Sequence, residues 1–172
     1  QLGANLILTA RSRDKLLNLA SSMKNAIVID GDLSKSEFSD ELYSEIASRN
    51  LEVDIIINNA GFGFSGFFLN SDIDNYNEML NVNIYSLTRL TYLFLGDMVK
   101  RKKGGIINIS SLASYQPVPY FAVYAASKAY VTSFTIALYE EYREKGINVL
   151  GVCPGYTKTN FNKRAQVKTQ DV

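Results

Sequence analysis

The feature that most constrains the fold of this chain is a regular alternation of short apolar runs with longer amphipathic segments. The short runs are apolar throughout, which is typical of strands buried on both faces of a parallel sheet. We predict strands at 6–9, 26–30, 53–58, 105–110 and 147–152, and helices at 13–22, 36–50, 73–102 and 122–145. Strict alternation of the two elements predicts an α/β fold, a doubly wound parallel sheet with helices on both faces.

Composition excludes several kinds of site. The 172 residues include no histidine, which rules out His-based triads and His metal sites, and the single Cys153 rules out disulfide frameworks and cysteine-rich zinc sites. We therefore expect no metal. The 18 basic and 17 acidic residues give a net charge of +1, which does not indicate nucleic acid as a partner. No signal-peptide pattern is present and no apolar run approaches the roughly 20 residues of a membrane span, so we expect a cytoplasmic location.

Chemically distinctive residues follow the predicted strands. Ligands of doubly wound sheets bind beyond the carboxyl ends of the strands, so functional residues are expected there. Asn58-Asn59-Ala60-Gly61 follows the third strand, Ser110 and Ser111 follow the fourth, and Pro154-Gly155 follows the fifth. Tyr124 and Lys128 stand near the start of the helix between the last two strands, four residues apart, and so share one helical face.

These signals, in this order, resemble the short-chain dehydrogenase/reductase family, and the resemblance covers essentially the whole chain. It implies that Tyr124 is the acid/base that protonates a carbonyl oxygen as hydride arrives, while Lys128 binds the cofactor ribose. A nearby ammonium also lowers the pKa of a phenol, which is near ~10 when free. The resemblance makes Ser111 the group that hydrogen-bonds the substrate oxygen. Ser110 is the competitor, but Ser111, thirteen residues before Tyr124, has the family's spacing.

One further residue of the reaction machinery is implied by the resemblance. Asn83, in Asn81-Val82-Asn83, resembles the helix asparagine that holds a water leading protons to the lysine. Asn81 is the weaker candidate, because the 28-residue step from Asn83 to Ser111 is the one found in the family. The alternative is that each of these side chains is only a capping or surface residue of its helix.

The cofactor expected from the resemblance is NADP. NAD-dependent members usually carry an acidic residue near position 10, whereas this chain has Ala10 followed by Arg11, whose guanidinium suits a 2′-phosphate. Arg13 is a second candidate for the phosphate. By resemblance Asp32 binds the adenine amino group and Leu33 packs on the ring. By the same resemblance the adenine ribose is lined by Asn59, Ala60 and Gly61. The residues implied beside the nicotinamide are Pro154, Gly155, Thr157 and Thr159.

The segment Gly61-Phe62-Gly63-Phe64-Ser65-Gly66 matches the dinucleotide fingerprint G-x-G-x-x-G in letters only. That fingerprint opens a helix at once, whereas here the aromatic Phe67 and Phe68 come next, so we interpret the segment as a loop. The family's own phosphate loop, T-G-x-x-x-G-x-G, is not found. The resemblance thus implies one Rossmann-like domain over residues 1–172, incomplete at both ends. We expect the 172-residue polypeptide alone to bind NADPH weakly and to associate.

The function expected from these features is that of an NADP-dependent oxidoreductase, reducing a carbonyl or oxidising the corresponding alcohol. An epimerase or dehydratase of the extended branch is disfavoured, and the alternative of another class is a non-catalytic binding or scaffolding fragment. Several apolar residues near the predicted edge suggest a lipophilic substrate, although core packing explains them equally well: Phe64, Phe67, Phe68, Tyr115, Pro117, Val118, Pro119 and Tyr120. The resemblance also implies a homo-oligomer, commonly a dimer paired through the two long helices.

Overall fold

The computed structural model describes residues 3–157 together with 161 and 165. Its strands are β1 (Leu6–Leu8), β2 (Ala26–Val28), β3 (Ile55–Asn58), β4 (Gly104–Ile109) and β5 (Ile147–Val152). The helices are α1 (Arg13–Ser21), α2 (Phe38–Ser48), α3 (Ile73–Leu80), α4 (Leu87–Arg101) and α5 (Ala122–Tyr142). All five predicted strands are present; β5 has the predicted ends, and no strand end differs from the predicted one by more than two residues.

All strand pairs are parallel, as the sequence predicted, but the strands form two sheets. β1 pairs with β2, and β3, β4 and β5 pair in that order, with Ile55 opposite Gly105 and Gly104 opposite Ile147. No ladder joins β1 to β3 within the described residues. Ile55 and Ile57 of β3 are each 59% exposed, so β3 has a free edge and an apolar face in contact with solvent. The predicted association and weak NADPH binding of the polypeptide alone stay predictions.

One face of the larger sheet forms the main core. Ile106 of β4 and Ile147 of β5 are fully buried against Met98 of α4 and Leu138 of α5, and α2 adds Leu42 to the same cluster. A second cluster joins Phe62, Met79 and Tyr124 beyond the carboxyl end of β3. This second cluster connects the loop after β3 to α3 and α5, and so fixes the position of Tyr124.

The predicted helix 73–102 is present from Ile73 to Arg101, but its central part is not α-helical. α3 and α4 are separated by a π-helical turn, Asn81–Ser86. The side chains of this turn bind other segments: Asn81 Nδ2 donates to the Ser34 carbonyl and Asn83 bonds the backbone of Phe62. A π turn inserts a residue without changing the apolar pattern at either end, so periodicity alone does not reveal it. Similarly, α5 ends at Tyr142 and a 3₁₀ turn covers Arg143–Lys145.

Candidate active site

Four predicted residues meet at the carboxyl ends of β3 and β4. Tyr124 and Lys128 lie on the first turns of α5, and both are buried, with 9% and 5% of their surfaces exposed. The Lys128 Nζ donates a 2.8 Å hydrogen bond to the Ile109 carbonyl at the end of β4 and lies 5.9 Å from the centre of the Tyr124 ring. The shared face predicted from the spacing is therefore present.

Burial controls the protonation of this pair. It lowers the pKa of Lys128 to about 8, an effect that the nearby Cys153 thiol partly opposes. No carboxylate of the described residues forms an ion pair with this ammonium. Burial also raises the pKa of the Tyr124 phenol, and a hydrogen bond with the Ser111 side chain acts in the opposite direction. The sequence led us to expect a lowered pKa for the Tyr124 phenol. Its pKa is raised instead, because the effect of burial is larger than that of the Ser111 hydrogen bond.

Asn83 connects three segments of the site. Its side-chain oxygen accepts from Phe62 N at 3.2 Å, and its side-chain nitrogen donates to the Phe62 carbonyl and to Ser127 Oγ, each at 3.0 Å. Ser127 Oγ in turn donates to the Tyr124 carbonyl. The side chain is 1% exposed, so these bonds form in a dry environment. Asn83 thus joins the loop after β3 to the helix that carries Tyr124 and Lys128.

The two serines after β4 have different surroundings. Ser110 is buried, and its hydroxyl donates to the Lys128 carbonyl at 2.9 Å and pairs with Thr132 Oγ1 at 2.6 Å. Ser111 is half-buried, and its hydroxyl accepts from Ala113 N, which leaves its own hydrogen available for donation. Of the two, Ser111 is the one that interacts with the Tyr124 phenol. The geometry therefore favours Ser111, as the sequence spacing did.

The loop after β3 passes directly beside these side chains. Asn59, Ala60 and Gly61 are exposed. A Cβ atom added at Gly61 would lie 3.1 Å from Asn83 Oδ1 and 3.2 Å from Lys128 Nζ. At Gly63 it would lie 2.9 Å from Tyr124 Cδ2, closer than side chains normally approach. Glycine at these two positions thus lets the loop backbone pack directly against the ammonium and the phenol ring, where a larger residue would clash.

The ends of β1 and β2 carry a cluster of charges. Arg11 Nη1 forms a 3.0 Å ion pair with Glu78 Oε1 of α3, and Arg13 Nη1 forms a 2.5 Å ion pair with Asp30. Asp32 Oδ1 accepts from Ser34 N at 3.0 Å. Burial would raise the pKa of Asp32, but hydrogen bonds from Ser34 and the charge of Arg11 hold it below its ordinary value. Asp32 is therefore an ionised acceptor at this edge.

Sequence reasoning missed the residues that hold the Asp32 loop in place. Ser86 Oγ donates to the Leu33 carbonyl, and Asn81 Nδ2 donates to the Ser34 carbonyl at 3.1 Å. Leu33 packs against both hydrophobic clusters. Asn81, considered only as a rival to Asn83, thus has a distinct role as a loop anchor. Sequence reasoning also missed Glu78, because no residue near it on α3 indicates that this glutamate forms an ion pair with Arg11.

The segment after β5 completes the edge in part. The Pro154 carbonyl accepts from Leu112 N at 3.1 Å, which joins this segment to the turn that follows Ser111. Gly155 is exposed, and Thr157 Oγ1 donates to its carbonyl. Thr159 lies outside the described residues. A predicted cofactor or reaction residue thus follows each of the five strands.

An aromatic cavity of about 300 Å³ adjoins Tyr124. Phe68 stacks on Tyr76 with ring centres 5.3 Å apart, and Phe64 meets Tyr76 edge to face. Gly66 N donates to the Tyr120 carbonyl and the Tyr120 ring meets Phe67, so the two wall loops are held together. The lining comprises Phe64, Gly66, Phe67, Phe68, Tyr76, Pro119, Tyr120, Ala122 and Val123. Of the predicted pocket residues, Tyr115, Pro117 and Val118 are not part of this lining, and the Tyr115 hydroxyl lies 3.4 Å from Cys153 Sγ.

Comparison with protein families identifies the class to which this fold and edge belong. The family model described as short chain dehydrogenase matches residues 1–170, and the chain belongs to this family. The human very-long-chain 3-oxoacyl-CoA reductase is 37% identical over 168 residues, 94% of this chain and 54% of that protein. Hydroxysteroid dehydrogenase-like protein 1 of Gallus gallus is 37% identical over 98% of this chain and 53% of its own length. The chain thus spans about half the length of these relatives.

Solved structures agree with this assignment. A short-chain dehydrogenase from Sphingobium yanoikuyae in complex with NADPH superposes with a TM-score of 0.91 at 27% identity, over 99% of this chain and 68% of that one. A bulky-bulky ketone specific alcohol dehydrogenase from Comamonas testosteroni gives a TM-score of 0.86 at 31% identity, over 92% and 65%. The predicted fold class and family are confirmed. In the described residues no helix is long and apolar enough to cross a membrane.

Proposed function

We propose that this chain forms the reaction centre of an NADPH-dependent oxidoreductase that reduces the carbonyl of a lipophilic substrate to an alcohol. The observation that carries the proposal is the meeting of Tyr124, Lys128, Ser111 and Asn83 against the glycine-containing loop after β3. Lys128 is a buried ammonium whose charge burial disfavours, an arrangement more common at functional sites than elsewhere. The NADPH complex of a structural neighbour and the reductase names of the relatives support the same reading.

The side chains divide the work as follows. Bound NADPH would supply the hydride to the carbonyl carbon. The Tyr124 phenol donates its proton to the carbonyl oxygen, so that the C=O bond becomes C–H and O–H, and Ser111 donates a hydrogen bond to the same oxygen. The Lys128 ammonium stabilises the phenolate that remains, which solvent then reprotonates. Asn83 binds both the Phe62 backbone and Ser127 of α5, and so fixes the distance between the loop after β3 and the Tyr124 phenol.

The residues present fit the two ends of the cofactor. The exposed backbone at Asn59 to Gly61 suits the adenine ribose, and the ionised Asp32 suits the adenine amino group. The Lys128 ammonium suits the nicotinamide ribose. Arg11 offers paired N–H donors and a charge for a 2′-phosphate. Pro154, Gly155 and Thr157 border the nicotinamide side in this proposal.

Removing the Arg11 side chain tests the preference for NADP. Arg11→Ala is expected to weaken NADPH binding by ~1.5–3 kcal/mol, the scale of charge-assisted hydrogen bonds, and to leave NADH nearly unaffected. The measurement is calorimetric titration with each cofactor. The protein used is the complete product of the reading frame that contains this sequence, and it is called the whole protein below. Arg49→Ala, which removes an equally exposed arginine paired with Glu45 on α2, is the control. Equal losses for both cofactors would show that Arg11 does not read the phosphate.

The substrate proposed is a 3-oxoacyl thioester or a ketone of similar apolar character. The support is the aromatic cavity beside Tyr124 together with the 3-oxoacyl-CoA reductases among the relatives. Aromatic walls offer dispersion contacts to a methylene chain but few polar partners, so they favour an apolar tail. A screen of NADPH oxidation by the whole protein against 3-oxoacyl, steroid and small carbonyls tests this. If none of these carbonyls leads to oxidation of NADPH, the non-catalytic alternative is favoured.

Shortening Phe68 tests the cavity as the tail site. Phe68→Ala is expected to raise KM for a long-chain 3-oxoacyl substrate about 5- to 10-fold, the loss of roughly one aromatic contact, and to change KM for a four-carbon substrate little. The neighbouring Leu69 is 89% exposed and outside the cavity lining, so Leu69→Ala is the matched control. A rise that is the same for both chain lengths would exclude the cavity as the tail site.

The predicted homo-oligomer and cytoplasmic location stay predictions. Exposed apolar side chains on α4 and α5 support the first: Tyr92, Ile136 and Tyr139. Large aromatic and branched residues on adjacent helices are typical of subunit contacts.

A further inference from the structure

Arg11 forms an ion pair with a side chain distant in sequence. Its Nη1 lies 3.0 Å from Glu78 Oε1, and the two side chains are 49% and 34% exposed. The pair joins residues 67 positions apart, from the end of β1 to α3. Asn81, in the turn that follows α3, donates to the Ser34 carbonyl in the loop after β2. This bond holds the end of α3 against the same edge as Arg11, so the carboxylate is positioned by the fold and not by a flexible neighbour in sequence.

The charges around Arg11 are of both signs. Asp32 is attracted by Arg11 and Lys35, and Asp30 forms a 2.5 Å ion pair with Arg13. Glu78 is the carboxylate that is paired with Arg11 itself. A 2′-phosphate carries close to two negative charges, and its best partner, the Arg11 guanidinium, is bound to a carboxylate. Any phosphate that binds Arg11 must displace the Glu78 carboxylate or share the guanidinium with it, and it meets like charge in either case.

We propose that Glu78 is a specificity-determining residue that competes with the cofactor 2′-phosphate for Arg11 and so restrains the preference for NADPH over NADH. The inference rests on the proposed function, because it requires that Arg11 receives the phosphate. Glu78 contacts no reacting atom, so it acts through Arg11 as a positioning residue. The 2′-hydroxyl of NADH carries no charge and does not compete with the carboxylate. Glu78 therefore lowers the affinity for one cofactor and leaves the other unchanged.

The test is calorimetric binding of NADPH and NADH to the whole protein and its variants. Glu78→Gln keeps the size and an acceptor oxygen but removes the charge, and it is expected to lower the Kd of NADPH about fivefold, the upper range for an exposed ion pair. The Kd of NADH is expected to stay the same. Glu45→Gln, which breaks a comparably exposed Arg–Glu pair on α2, is the matched control and should change neither.

A second variant separates action through Arg11 from a general effect of charge. In the Arg11→Ala background, the gain from Glu78→Gln is expected to shrink to less than twofold, because no guanidinium is left to release. A full fivefold gain in that background, or an equal gain for NADH, would overturn the inference while leaving the proposed function intact. If the unaltered whole protein binds neither cofactor, both the proposed function and this inference are wrong.

Discussion

Tyr124→Phe is expected to lower the turnover of carbonyl reduction by at least ~100-fold, the lower range for the loss of a general acid. Phenylalanine keeps the ring that packs against Phe121 and fills the second cluster, but it removes the proton that the carbonyl oxygen receives. The affinity for NADPH should change little, because Lys128 and the loop after β3 are unchanged in this variant. Steady-state rates and cofactor titrations of the whole protein measure the two effects separately.

The control for this variant lies on the same helix. Tyr139→Phe removes an exposed hydroxyl near the other end of α5 and should leave turnover unchanged. Near-normal turnover in Tyr124→Phe would remove the tyrosine from the mechanism. A parallel loss of folding stability and turnover in both variants would show that the hydroxyl effect is structural.

Lys128→Met is expected to remove most activity while making the folded protein more stable at pH 7. The ordinary pKa of lysine, ~10.4, falls here to about 8, so holding the charge in the folded state costs about 3 kcal/mol. Methionine is similar in shape and carries no charge. It leaves the Ile109 carbonyl without its donor, at a cost of about 1–3 kcal/mol, so the net expected gain in the free energy of unfolding is at most about 2 kcal/mol.

The pH dependence of stability has a definite sign. Below pH 8 both the folded and unfolded states bind the proton, and the burial cost is fully present. Between pH 8 and ~10.4 the folded state has released the proton while the unfolded state keeps it, so stability rises with pH. Urea unfolding at pH 7 and 9.5 should show that rise in the unaltered protein and Lys24→Met, an exposed control, but a smaller one in Lys128→Met. If the free energy of unfolding rises equally with pH in all three proteins, the pKa of Lys128 is that of a solvent-exposed lysine.

Much of the site could be predicted because it obeys local rules. Continuous apolar runs indicate buried parallel strands, and functional residues of such sheets follow the strand ends, so Ser111 and Asn59 could be placed without coordinates. A four-residue step on a helix placed Lys128 beside Tyr124, and the structure agrees. The preference for Ser111 over Ser110 also follows in part from spacing, and the hydrogen bonds of Ser110 give its physical reason.

The rest depends on contacts between segments distant in sequence. Glu78 looks like any surface glutamate of an amphipathic helix until β1 and α3 are brought together. The π turn at Asn81–Ser86 lies inside a pattern that is helical on both sides, and its cause is a set of bonds to residues 33, 34 and 62. The rise in the Tyr124 pKa has the same origin, because desolvation comes from the packing of Phe62 and Met79, which no spacing reveals.

The most direct test of the central claim follows the hydride and the proton together. The whole protein is incubated with a long-chain 3-oxoacyl thioester and NADPH carrying deuterium at both C4 positions of the nicotinamide, and the product is analysed by mass spectrometry. The account predicts one deuterium at the former carbonyl carbon, one product molecule for each NADPH consumed, and a rate at least ~100-fold lower in Tyr124→Phe. NADPH consumption without a deuterated alcohol, or equal rates in the two proteins, would contradict it.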